Sequence, residues 1–121
     1  MENFLLMKLI VVGITRIDIM VKTISHEGLR TWIEIDTKAL GENYRTMRKE
    51  IGPKVMLMAV AKSNAYGHGM VEYAKAVEKL GADWIGVDSI VEGITLREAG
   101  VALPILVLGY TLGELLSEAE K

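Results

Sequence analysis

The 121 residues include no cysteine, which excludes a disulfide framework, a zinc ribbon and a thiol nucleophile and fits a reducing cytoplasm. Charge of one sign is also missing: 14 Lys+Arg stand against 16 Asp+Glu, for a formal net charge of -2. That balance leaves no electrostatic footprint for nucleic acid or an anionic membrane. Long apolar runs are absent too. The N-terminal run from Leu9 to Ile14 is far below the ~20 residues of a membrane span, and Lys8, Arg16, Asp18 and Lys22 flank it. A signal peptide is not indicated either, since Glu2 stands where basic residues belong and no small-residue cleavage site follows. Two prolines beside 12 glycines, with half the residues hydrophobic, describe one compact domain at most.

The chain divides into a leader, residues 1–28, and a regularly punctuated part, residues 29–121. In the leader, Ile17, Ile19 and Val21 alternate as a short strand would, and an ill-defined lead-in reads equally well. Thr31-Trp32-Ile33-Glu34-Ile35 is a β-rich pentad that predicts a half-buried strand. Asp36 or Thr37 then caps a helix with a stripe at Leu40, Tyr44, Met47 and Ile51, stopped by Gly52-Pro53. Residues 55–61 form an unbroken apolar run, as in a parallel strand covered on both faces. After a loop, residues 63–69, a helix carries Val71, Ala74, Val77 and Leu80 and ends at Gly81.

Trp84-Ile85-Gly86-Val87 is the next strand, and Ser89 with Glu92 forms a capping box for a helix closed by Gly100. Pro104 introduces a third strand, residues 105–108, and Thr111 with Glu114 repeats the capping box for a fourth helix bearing Leu112, Leu115, Leu116 and Ala119. Strand–helix repetition from Val55 onward is the pattern of right-handed βα units in a parallel sheet. A doubly wound sheet and a (β/α)8 barrel both use this unit, and three strands do not separate them by pattern. A barrel needs ~250 residues.

Both architectures place reactive groups at the carboxyl ends of strands. The run of residues 55–61 ends at Lys62, whose stem that strand is expected to desolvate, a placement that suits the neutral amine needed for Schiff-base chemistry. A lysine that snorkels to solvent is the plainer alternative. Tyr66 lies four residues on, in position to donate its phenol to an anion, and Gly67 and Gly69 allow close backbone approach ahead of a helix N-terminus. The third glycine of a dinucleotide fingerprint is replaced by Glu72, and no Walker lysine-serine pair occurs. His68 and His26 have no metal-ligand spacing around them, so a structural role for His68 is favoured and no metal site is expected.

Residues 59–69, Ala-Val-Ala-Lys-Ser-Asn-Ala-Tyr-Gly-His-Gly in order, resemble the cofactor-lysine signature of bacterial alanine racemases. Thr31-Trp32-Ile33-Glu34-Ile35-Asp36, Leu96-Arg97-Glu98-Ala99-Gly100 and Pro104-Ile105-Leu106-Val107-Leu108-Gly109 resemble that family's flanking landmarks in the same order, so the likeness runs from Thr31 to Tyr110. The resemblance implies a partial (β/α)8 barrel, pyridoxal 5'-phosphate as cofactor, and interconversion of L- and D-alanine for peptidoglycan precursors by a cytoplasmic homodimer. It further implies that Lys62 holds the cofactor and acts as base on one face of the amino acid, that Tyr66 bonds the cofactor phosphate, and that Leu108 lines the pocket.

The family's second base is a tyrosine from a separate β domain of the partner subunit. None of Tyr44, Tyr73 and Tyr110 matches it, so the chain is expected to be a piece of the enzyme, inactive alone. A serine or broad-specificity racemase, a non-catalytic pyridoxal-phosphate barrel protein, and a truncated product without activity are the alternatives. Ala61 and Ser63 are small departures from the family pattern, while Asp88 either joins Ser89 in capping the helix, the favoured reading, or faces the pocket.

Overall fold

The computed structural model describes Gly28 and residues 30–120, so the alternation at Ile17, Ile19 and Val21 lies outside the described residues. The order is α1 (Thr37–Ile51), β1 (Met58–Val60), a short turn α2 (Lys62–Tyr66), α3 (Met70–Lys79), β2 (Trp84–Val87), α4 (Ile90–Glu98), β3 (Ile105–Val107) and a 3-10 helix (Gly113–Glu120). The strands pair in sequence order, and both ladders are parallel. The fold is therefore α/β with a parallel sheet, as the repeat of apolar strands and amphipathic helices predicts.

Register divides the sheet into two unlike faces. Ala59, Ile85 and Ile105 share one row and Val60, Gly86 and Leu106 the next, and neighbouring rows point to opposite sides. On the first side Ile85 and Val87 are buried with Val77 of α3 and Leu96 of α4. Gly93 of α4 faces the same side, where a Cβ would come into ordinary contact with Ile105 and Val87. On the second side stand Met58, Val60, Trp84, Leu106 and Leu108, none of which belongs to the buried core. Residues 55–61 are thus not covered on both faces: Val55 and Met56 are exposed, and only Met58–Val60 form strand.

Each helix end has a local cause. Asp36 Oδ1 accepts the N–H groups of Lys38 and Ala39, both at 2.9 Å, and so satisfies two orphan donors of α1. Gly52, at φ 75°, returns its N–H to the Arg48 carbonyl and stops the helix. The buried stripe of α1 differs from the predicted one. Leu40 and Tyr44 are buried, but Met47 is 45% exposed, because the next inward position is taken by Arg48. Its guanidinium donates to the carbonyls of Val55 (2.8 Å) and Gly81 (3.3 Å) and to the Asp83 carboxylate, tying α1 to the starts of β1 and β2.

Two other predicted elements change form. Residues 31–35 pair only at Glu34, with Ile33 exposed, since a strand exists only where a ladder partner runs beside it. The fourth helix is 3-10 rather than α, with Leu112 and Leu116 exposed. An amphipathic α-helix draws most of its stability from burying an apolar face, and this one buries little. Among the described residues no helix is long and apolar enough to cross a membrane.

Candidate functional site

Ala61 separates β1 from Lys62, which begins α2, a helical turn where the sequence predicts only loop. The turn is left-handed: Ser63, Asn64, Ala65 and Tyr66 have φ of 53°, 54°, 51° and 54°. L-residues pay about 1–2 kcal/mol each for this conformation, less for asparagine, so the four together cost roughly 3–7 kcal/mol. Strain of this size persists only where the surroundings fix it, and it concentrates at functional sites.

The bonds that fix the turn run inward from both ends. Ala65 N–H donates to the Ala61 carbonyl (2.8 Å), and the Asn64 carbonyl accepts from Gly67 and Gly69, both at 3.1 Å. Asn64 Oδ1 accepts the Met70 N–H (2.8 Å), so this side chain both tolerates the left-handed region and caps α3. His68 Nδ1 lies 2.6 Å from the Ala65 carbonyl oxygen, which can only accept; Nδ1 therefore carries the proton. This is the structural role favoured for His68. Gly67 and Gly69, at φ 90° and 85°, carry the chain from the turn into α3.

The second hold comes from across the sheet. Glu92 Oε1 accepts the Ser63 N–H (2.8 Å) and Glu92 Oε2 accepts the Asp88 N–H (2.7 Å). The capping box is thus only half as predicted. Ser89 Oγ accepts the Glu92 N–H (3.3 Å), but the carboxylate bypasses Ser89 and joins the ends of β1 and β2. Nothing in the spacing of Ser63 and Glu92 signals that bond, so Glu92 and Asn64 are the residues of the site that the motif reading missed. The favoured role for Asp88 is also corrected: Ser89 alone caps α4, and the exposed Asp88 carboxylate lies beside Gly109.

Continued by two residues, the register brings Lys62, Asp88 and Leu108 to the row where the strands end. Lys62 is half-buried, and its ammonium makes no hydrogen bond or ion pair among the described residues. Tyr66 is 61% exposed and Leu108 46%. Gly86 forms the floor below: a Cβ there would meet Leu108 Cδ1 at 3.2 Å and Met58 Sδ at 3.3 Å, so those two side chains already fill the space over it. Tyr73 of α3 is half-buried; burial pushes its phenol above the usual tyrosine range, and the neighbouring Tyr66 adds to the effect. A cavity of about 450 Å³ between α4 and the 3-10 helix, lined by Ile90, Arg97 and Glu118, borders Ile105 and Val107, on the helix-covered side of the sheet.

The class is then defined as an α/β chain of parallel βα units with an unpartnered lysine on a strained turn at the carboxyl edge of the sheet. Comparison with known proteins gives the family. The sequence model described as "Alanine racemase, N-terminal domain" matches residues 35–121, and the chain belongs to that family. It is 52% identical over 80 residues to the alanine racemase of Synechocystis, covering 66% of this chain and 22% of that protein. It is 53% identical over 79 residues to alanine racemase 1 of Bacillus subtilis, covering 65% and 20%.

Among solved structures, the alanine racemase of Bacillus anthracis with bound L-Ala-P superposes with TM-score 0.67 at 35% identity, covering 73% of this chain and 24% of that one. The enzyme of Clostridium difficile in complex with cycloserine superposes with TM-score 0.60 at 39% identity, covering 65% and 21%. The chain thus spans about a fifth of the length of the curated relatives it matches.

Proposed function

We propose that this chain supplies the cofactor-lysine portion of a pyridoxal-phosphate-dependent alanine racemase, with its three strands forming part of a (β/α)8 barrel. The observation that carries the reading is the free, half-buried amine of Lys62 on a left-handed turn at the strand end, with an exposed phenol at Tyr66 and a glycine-flanked helix start beyond. These residues fit the cofactor. Lys62 would hold its aldehyde carbon, the Tyr66 phenol would donate to its phosphate, and Leu108 would pack against its ring. The 10-residue helix α3, entered through Gly67 and Gly69, would lend its N-terminal dipole to holding the phosphate.

Pyridoxal phosphate, when bound, supplies an electron sink for the charge that develops at the amino acid's α-carbon. The chain's own part is positional and acid–base. Lys62 Nζ accepts the α-proton on one face of the substrate, and the turn, bonded at both ends, holds that nitrogen at the strand end. Return of a proton to the opposite face requires a second acid, which we place outside the matched residues. On this reading the whole enzyme is a cytoplasmic homodimer that serves peptidoglycan precursor supply, residues 29–121 belong to its barrel, and residues 1–28 form a leader.

Incubation with pyridoxal phosphate, borohydride reduction and peptide mass mapping test the assignment. The adduct is expected on Lys62 and is lost in Lys62→Ala. An adduct on another lysine removes the site reading.

A further inference from the structure

Beyond the residues given roles above, we propose that Glu92 is the positioning residue of the lysine turn, a two-pronged carboxylate that fixes Lys62 by holding the backbone on its carboxyl side. The proposal rests on the Lys62 reading for its consequence and on the geometry alone for its mechanism. A glutamate at the third position of a helix behind a serine cap ordinarily returns its carboxylate to the cap's own N–H. Here Ser89 keeps its half of that arrangement, while the carboxylate of Glu92 reaches the N–H of Asp88 with one oxygen and that of Ser63 with the other.

Ser63 is the first left-handed residue and the immediate neighbour of Lys62. Twenty-nine positions separate it from Glu92 in sequence, so the bond is made only when the ends of β1 and β2 stand side by side. A charged acceptor strengthens both bonds, and among the described residues neither the Ser63 nor the Asp88 N–H has a sheet carbonyl to fall back on. Without this hold the residue after Lys62 is free to relax toward the right-handed region, and the amine moves with it. Asn64 and His68 fix the far end of the turn; Glu92 fixes the end that carries the lysine.

The test uses the full chain as wild type, Glu92→Gln and Glu92→Asp. Glutamine keeps length but offers one acceptor oxygen and presents an NH₂ to the other donor, and aspartate keeps charge but is one methylene short. Amide hydrogen exchange at Ser63 and Asp88 is read against Val77 and Leu96 in the core, together with the fraction of Lys62 captured by a fixed, subsaturating concentration of pyridoxal phosphate. In both variants exchange at Ser63 is expected to rise at least tenfold with Val77 and Leu96 unchanged, and capture at Lys62 to fall about tenfold.

Unchanged exchange at Ser63 overturns the clamp while leaving the Lys62 reading intact. Wild-type capture in a variant whose Ser63 exchanges fast overturns the positioning role. Loss of protection at Val77 and Leu96 together with Ser63 in both variants also overturns it, since Glu92 would then support the whole fold. An adduct placed elsewhere in the wild type sinks the Lys62 reading, and with it the claim that Glu92 positions a cofactor lysine.

Discussion

At the scale of single residues, two positions near the strand ends respond in opposite directions to the loss or gain of one Cβ. Ser63 has φ 53°, its side chain is exposed, and its useful group is the backbone N–H that Glu92 accepts. Glycine keeps that N–H and removes the left-handed penalty of about 1–2 kcal/mol, against roughly 0.5–1 kcal/mol of added chain entropy in the unfolded state. Ser63→Gly is therefore expected to raise stability by about 0.5–1 kcal/mol in urea denaturation. Gly109 is the converse. Its N–H donates to the Asp88 carbonyl at 2.9 Å, and an added Cβ would sit 2.3 Å from that oxygen. Since the obstacle is backbone, Gly109→Ala is expected to lower stability by about 1–3 kcal/mol, and an unaltered midpoint would show that β2 and β3 separate more easily at their ends than the structure indicates.

At the scale of elements, the joint between α1 and the sheet is electrostatic and therefore depends on pH. The Arg48 guanidinium, and after it the Leu57 N–H, hold the Asp83 carboxyl below the usual aspartate range, and the same contact raises Arg48. A carboxyl depressed in the folded state binds fewer protons there than in the unfolded chain. Its stabilisation is complete above the unfolded value and disappears as pH falls through the folded one. The melting temperature of the wild type is expected to drop through that acid window, whereas Asp83→Asn starts lower at neutral pH and shows a flatter acid limb. Parallel acid limbs in the two proteins would remove the joint from the list of acid-sensitive contacts.

This joint also marks how much of the fold can be read from sequence. The caps at Asp36 and Ser89, the stop at Gly52 and the βα alternation are legible because their signals lie within a few residues. The family is likewise legible, because residues 59–69 and the landmarks around them resemble its signature. Arg48 displacing Met47 from the inward stripe, four left-handed residues at 63–66, and Glu92 bypassing Ser89 for Ser63 are not, because each depends on a partner tens of residues away or on strain that no local preference encodes.

At the scale of the whole molecule, the unequal faces of the sheet decide behaviour in solution. The helix side is a closed core, but Met58, Val60, Trp84, Leu106 and Leu108 form an apolar side outside it, and among the described residues β1 and β3 are both edges. A continuous apolar face with open edges on either side is a surface for self-association. In the barrel reading that same side is interior, which explains why it is apolar without being buried here. Leu106, 44% exposed at the middle of β3, separates the two circumstances. For the 121-residue chain, Leu106→Glu is expected to change stability by less than about 1 kcal/mol, because little burial is lost. The same substitution is expected to shift sedimentation from associating species toward monomer and to reduce the binding of an environment-sensitive hydrophobic dye. Within a closed barrel it would place an unpaired carboxylate in the interior, which costs several kcal/mol. A chain that unfolds on this substitution would show that Leu106 is enclosed in solution and that the open face is already covered.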